Sequence, residues 1–139
     1  MMNNHSFDQR SEIPAVEEYR QLRVDSGLSP KSLEAAVKGL QNSLFATTIR
    51  DGRRLIAMGR VVGDSGCNFE VVDIAVHPDY QRQGLGTLVM AAIMSYIETN
   101  APKSAYVSLI ADNHASALYA KFGFQPTAPD SIGMAYRVK

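Results

Sequence analysis

Residues 68–97 read NFEVVDIAVHPDYQRQGLGTLVMAAIMSYI and carry a strand, a glycine-bearing turn and a long helix in one run. Residues 69–76 are β-branched and apolar apart from Glu70 and Asp73, a pattern that predicts a largely buried strand. His77-Pro78-Asp79-Tyr80 ends it, because proline has no N–H to give to a sheet ladder. Leu85, Leu88, Val89, Ala92, Ile93, Tyr96 and Ile97 follow at spacings of 3, 1, 3, 1, 3 and 1, which places one apolar stripe along a helix. Between strand and helix lies Gln81-Arg82-Gln83-Gly84-Leu85-Gly86. A helix start offers several N–H groups without helical acceptors, at the positive end of the dipole. Glycines at 84 and 86 let a ligand come close to the backbone. Such a turn suits a phosphate or pyrophosphate. It is not a Walker loop, since no Gly-Lys-Ser/Thr follows, and not a dinucleotide fingerprint, since Val89 stands where the third glycine would be. The competing reading is a plain strand-to-helix turn with convenient glycines.

The remaining chain supplies the partners of this run. At 139 residues it reads as one domain, residues 1–139, with enough length for a core. Fourteen basic residues balance fourteen acidic ones, which implies neither a nucleic-acid partner nor an acidic membrane surface. The single cysteine, Cys67, allows no internal disulfide and fits a reducing, cytoplasmic setting. No stretch reads as a signal core or a membrane span.

Residues 1–6 are polar and expected to be mobile, and residues 7–10 suit a short first strand. Pro14 can open a helix to about residue 25, with Val16, Tyr19 and Leu22 on one face. Ser29 can cap a second helix with Pro30 at its first position and Leu33, Ala36, Val37 and Leu40 as its buried stripe. Residues 44–50 and 55–62 flank Asp51-Gly52, a hairpin signal. Gly63-Asp64-Ser65-Gly66 turns the chain back into the strand of residues 69–76. After the long helix, Asn100-Ala101-Pro102 is a stop and residues 105–111 read as a strand. A long crossover implies that this strand runs parallel to residues 69–76. Asp112 or Asn113 can cap a short last helix, with Leu118 and Phe122 inward and Gly123 ending it in the left-handed conformation. Residues 126–131 read as a loop and residues 133–138 as a final strand.

Two segments carry a family likeness. Val76-His77-Pro78-x-Tyr80-Gln81-x-x-Gly84-x-Gly86 resembles the acetyl-CoA signature of the GNAT superfamily of N-acetyltransferases. Asn113-x-x-x-Ala117-x-Tyr119-x-x-Phe122-Gly123-Phe124 resembles its other cofactor motif. They occur in the expected order, with a helix and a strand between them, and the likeness extends over residues 44–138. It implies an α+β fold with a mixed, mostly antiparallel sheet of about six to seven strands, a splayed parallel pair and about four flanking helices. It also implies that the pantetheine arm of acetyl-CoA lies in the splay as a pseudo-strand, satisfying backbone groups that lack sheet partners.

By that resemblance the cofactor contacts come from Ile74, Ala75 and Val76 on the strand. The turn adds Gln81, Arg82, Gln83, Gly84, Leu85, Gly86 and Thr87, and the last helix adds Asn113 and Tyr119. For Asn113 the alternative is a helix cap. Tyr119 matches the superfamily's general acid. A phenol with a pKa of roughly 10 is neutral at pH 7 and can protonate a thiolate whose thiol titrates at roughly 8.5. The alternative is a half-buried aromatic on a short helix. The N–H of Val76 is the family-like donor to the developing oxyanion. Leu28 and Ser29, between the first two helices, are candidate acceptor-substrate neighbours.

The base is open. Glu70 matches a glutamate base of histone-directed relatives, and Asp73 resembles the aspartate that approaches the acceptor in sugar-amine and polyamine relatives. Three apart on one strand, they are expected on opposite faces. Either could instead be a polar group at a sheet edge or paired with Arg60 or Arg54, and ordered water could serve as base. His77 and His114 do not form a zinc motif, and no metal is expected. The expected activity is transfer of an acetyl group from acetyl-CoA to a primary amine of a small molecule by direct attack in a ternary complex, releasing CoA. The alternatives are a protein or peptide amine acceptor, or a non-catalytic acyl-CoA-binding module. A homodimer is left open.

Overall fold

A computed structural model describes residues 7–112 and 115–139. The run at residues 68–97 forms what its pattern predicts. Asn68–Val76 is strand β4, Pro78–Tyr80 a 3-10 turn and Leu85–Asn100 helix α3. Ahead of β4 come β1 (Asp8–Ser11), α1 (Val16–Asp25), α2 (Leu33–Gln41), β2 (Phe45–Asp51) and β3 (Arg54–Gly63). After α3 come β5 (Tyr106–Ser108) and α4 (Ser116–Ala120). The five strands lie in chain order, with β1 to β4 antiparallel and β5 parallel to β4.

The sheet is covered on both faces. Leu85, Val89, Ile93 and Ile97 of α3 are buried against Ile49, Ala57, Val61, Phe69 and Val71. Leu88, on the edge of the expected stripe, is instead 47% exposed, and Met90 is fully buried. On the other face Tyr19, Leu22, Ala36 and Leu40 of α1 and α2 pack on Leu55, Met58 and Ala75. Gly59 of β3 lets α3 sit close. A Cβ there would come within 2.6 Å of Val89 and 2.8 Å of Ile93.

Several expectations need correction. The sheet has five strands among the described residues, not six or seven. Residues 133–138 join no ladder, and Met134, Tyr136 and Val138 are almost wholly exposed. Strand β5 is three residues long rather than spanning 105–111, because its pairing with β4 ends at Glu70 and Ser108. The cap of α2 is Ser32, whose hydroxyl accepts the Ala35 N–H at 3.1 Å. Ser29 is not available for that task, because its hydroxyl accepts from Arg23. Leu33 and Val37 of the expected α2 stripe face solvent. Helix α4 begins at Ser116 with Ala115 in the cap position rather than Asp112. Its buried side chain is Tyr119, with Leu118 and Phe122 half-buried. The expectations for residues 1–6, Asn113 and His114 lie outside the described residues.

Candidate active site

The site grows from a break in the sheet. Only Asn68, Phe69 and Glu70 of the nine residues of β4 pair with β5. Beyond Glu70 the two parallel strands part. His77 N–H bonds to Ile56 O at 2.8 Å, and Val76 stands opposite Ala57. Antiparallel strands alternate between pairs that exchange bonds and pairs that do not. Val76 belongs to the second kind, so its N–H and C=O turn away from β3 into the splay. Its carbonyl accepts the Gln81 side-chain amide at 3.2 Å. Its N–H has no acceptor among the described residues.

The turn after β4 opens into the same region. Arg82 and Gly84 both have positive φ, +65° and +82°, and Gly84 is the cap residue of α3. The first backbone bond of the helix runs from Leu88 N–H to Gly84 O at 3.2 Å. From residue 84 to residue 87 no backbone N–H has an acceptor among the described residues. A row of unpaired amides at the start of a sixteen-residue helix suits a diphosphate. The side chains of Arg82 and Gln83 are exposed. Gly86 faces α4, where an added Cβ would meet Leu118 at 3.2 Å, so the turn and α4 are packed together. The amide row and the splay are a chemical fit to a long ligand with a diphosphate at one end and amides along its arm.

Tyr119 is 8% exposed and lines a cavity of about 860 Å³ between β5 and α4, with Met94, Leu109 and Phe124. Its ring meets Phe124 edge-on at 6.5 Å. Burial pushes the phenol pKa up, and the charge of Asp112 adds to this. The hydroxyl thus holds its proton at neutral pH.

The acceptor face brings a correction. Opposite Gly59, β4 carries an extra residue in its register, and Asp73 there has φ +59°. This bulge resets the alternation, so Asp73 and Glu70 share the α1–α2 face instead of lying on opposite faces. Asp73 is an ion-pair partner and not a free base. One carboxylate oxygen pairs with Arg23. The other accepts Arg60 Nε at 2.8 Å and the Tyr19 hydroxyl at 2.9 Å. Both carboxylate oxygens are thus occupied by three donors. Burial, and then the charge of Asp73, push the Tyr19 pKa up, so Tyr19 stays a donor. The sequence reading missed Arg23 and Tyr19, which stand on the inward face of α1. Only the i, i+4 spacing of Tyr19 and Arg23 hints that they meet one partner.

Ser29 sits at the same cluster. Its carbonyl and hydroxyl accept from Arg23, and its hydroxyl also receives Arg137 at 3.3 Å. Leu28 packs at the edge of the α1–α2 core. Glu70 is half-buried and has no ion pair among the described residues. His77 caps the 3-10 turn through Nδ1, which accepts the Asp79 N–H at 3.1 Å. The described residues hold no group of His, Cys, Asp and Glu arranged for a metal. None of their helices is long and apolar enough to cross a membrane.

Comparison with known proteins places this geometry in a family. The profile of the acetyltransferase (GNAT) domain matches residues 15–133. An uncharacterised N-acetyltransferase, ycf52, of Gracilaria tenuistipitata var. liui is 33% identical over 78 residues, which are 56% of this chain and 41% of that protein. The chain spans about two fifths of the length of this relative and of its Porphyra purpurea counterpart. The ribosomal protein bS18 alanine N-acetyltransferase of Escherichia coli K12 is 31% identical over 124 residues, covering 88% of this chain and 81% of that one. A crystal structure from meticillin-resistant Staphylococcus aureus, of a protein of unknown function called a probable acetyltransferase, superposes with a TM-score of 0.93 at 52% identity. That match covers 96% of this chain and 100% of the other. The chain belongs to the GNAT acetyltransferase family.

Proposed function

We propose that this protein transfers an acetyl group from acetyl-CoA to a primary amine. The observation that carries the reading is the coincidence of the β4–β5 splay with the unpaired amides of residues 84–87. Acetyl-CoA supplies the acetyl group as a thioester open to attack by an amine. The amides of Arg82 to Thr87 hold the diphosphate, and the main chain of Ile74 and Val76 bonds the pantetheine arm in the splay. The Val76 N–H donates to the oxygen that gains charge, and Gln81 holds the carbonyl of the same residue, in the next peptide along. Tyr119, kept neutral by burial, delivers its proton toward the departing sulfur. The attacking amine loses its proton to Glu70 or to ordered water draining to bulk, Asp73 being committed to its ion pairs. Leu28 and Ser29 border the acceptor, and Asn113, outside the described residues, would by its motif bond the arm.

A small-molecule amine is the acceptor we favour, given the chain's balanced charge. The second reading is a protein α-amine, supported by the near full-length likeness to the bS18 alanine N-acetyltransferase. Calorimetry with acetyl-CoA tests the first half of the proposal. Micromolar binding is expected, and Gly84→Val should abolish it by forcing a β-branched residue into the left-handed region. No binding at millimolar ligand overturns the proposal. A panel of small amines, with a peptide bearing an N-terminal alanine, read by free thiol release, then separates the two acceptor classes. Binding without turnover on any amine would leave an acyl-CoA-binding module.

A further inference from the structure

Two hydrogen-bond donors aim at one imidazole. The Asp79 N–H points at Nδ1 of His77 at 3.1 Å, and a guanidinium nitrogen of Arg54 lies 3.0 Å from Nε2. A neutral imidazole carries one N–H and accepts only at its other nitrogen, so the ring serves one of the two donors. Its side chain is 13% exposed, enclosed by Arg54 of β3, Asp25 of α1 and the 3-10 turn.

The ring braces the path from β4 to the amide row. The Tyr80 N–H returns to His77 O at 2.9 Å. The Tyr80 hydroxyl donates to Asp51 at 2.6 Å, and the Gln81 side chain reaches Val76 O. Arg82 and Gly84 follow at positive φ. The direction in which residues 84–87 present their N–H groups is thus set by a turn whose cap is the Nδ1 acceptor.

Charge and freedom of movement decide which donor is served. The Asp25 carboxylate lies 3.7 Å from Nε2 and favours a proton there. The Asp79 carboxylate, 3.8 Å from Nδ1, pulls the other way, but its side chain is 72% exposed and so better screened than that of Asp25 at 34%. Arg54 is exposed and also rests over the Tyr80 ring at 5.6 Å. The Asp79 N–H is fixed in the backbone and cannot turn elsewhere.

We infer that His77, kept in the Nε2–H tautomer by Asp25, is a positioning residue for the cofactor: it braces the turn that presents the diphosphate amides. The inference rests on the acetyl-CoA reading of those amides. Asp25 is the last residue of α1, where an anion opposes the helix dipole, and its hold on His77 offsets that local cost. Loss of the Nδ1 acceptor lowers the fraction of molecules whose turn is set for ligand, and the apparent affinity falls with that fraction. Bound ligand sets the turn again, so turnover at saturation is kept.

Calorimetry with acetyl-CoA on His77→Asn and His77→Gln tests it. Both lose the ring alike, but the Asn side-chain oxygen falls where Nδ1 was and caps Asp79, while that of Gln reaches toward the Nε2 position. His77→Asn should stay within about threefold of wild type. His77→Gln should bind about tenfold more weakly, with kcat at saturation changed less than about twofold. Asp25→Ala should weaken binding about fivefold, and adding Arg54→Met should restore it, the rival donor being gone. The tautomer is read without ligand from the imidazole nitrogen shifts of the labelled chain, the His77 signal being the one missing from His77→Asn. Nδ1 should carry no proton. Equal affinities of the Asn and Gln variants overturn the inference, and so does a proton on Nδ1 in the wild type. A wild type that binds no acetyl-CoA removes the proposed function and this role with it, whereas binding that ignores these substitutions removes the role alone.

Discussion

Asp73 and Arg23 form an ion pair, buried on both sides, between the bulge of β4 and helix α1, their side chains 5% and 8% exposed. Asp73 stands at positive φ without being glycine, a conformation that costs on the order of 1–3 kcal/mol unless its surroundings impose it. Arg23, Arg60 and Tyr19 impose it through three contacts. Removing Asp73 leaves two buried guanidinium groups without their counter-charge, held only by the neutral oxygens of Ser29, Gly39 and Ser43. Asp73→Ala should therefore lower stability by about 3–5 kcal/mol, measured by urea denaturation. It should also loosen the Ile74–Val76 peptides, seen as faster amide exchange there. If Asp73 were a base, stability would stay near wild type and only the pH profile of turnover would change.

Gly59 lies opposite that bulge and beneath α3. An added methyl would meet Val89 at 2.6 Å, Ile74 at 2.7 Å and Ile93 at 2.8 Å, all side-chain ends in a packed core. Gly59→Ala should cost about 1–3 kcal/mol through overpacking. Trimming the obstruction with Val89→Ala should return part of that loss in the double variant, a coupling that denaturation can measure. Simple additivity would mean that the close approach is not the cause.

These two positions mark what could be read in the chain beforehand. The β4–turn–α3 run announced itself because a β-branched apolar run gives way, across a proline and two glycines, to apolar residues at helical spacing. The hairpin at Asp51-Gly52 was equally plain, since β2 and β3 pair directly across it. Asp73 was harder. Alternation counts every residue once, and a bulge adds one that the count does not see. The pairing of Arg23 with Asp73 joins positions fifty apart, and no local pattern carries that. Residues 133–138 kept their strand-like alternation while staying outside the sheet, since alternation tells which face would be buried but not against what.

Arg50 ties the β1–α1 connection to the sheet. It binds Glu18 at 2.6 Å and Glu12 at 2.9 Å. The Arg50 hydrogen bond holds Glu18 below the ordinary carboxylate value, and Thr48, then Arg50, do so for Glu12. Both folded values lie under the unfolded one, 4.5. The stability they add is thus complete above pH 4.5 and drains away as pH falls through the folded values. Arg50→Met should lower stability at pH 7 and flatten the slope of stability against pH below 4.5. Urea titrations across that range would show it. An unchanged acid slope would assign the loss to other carboxylates.

Tyr119→Phe isolates one hydroxyl. The ring keeps its edge-on contact with Phe124 at 6.5 Å, so packing and folding should change little. Acetyl-CoA affinity should stay within about twofold, while kcat falls about 10²- to 10⁴-fold, the usual worth of a positioned acid. Burial raises the phenol above its ordinary value of 10.0. Loss of the acid by ionisation should therefore appear only above pH 10 in the wild type and be missing from the variant. Single-turnover measurements matter here, because slow product release would hide a change in the chemical step. A wild-type limb centred well below that pH would belong to another group. Unchanged single-turnover rates in the phenylalanine variant would remove Tyr119 from the proton transfer and leave its ring as a wall of the cavity.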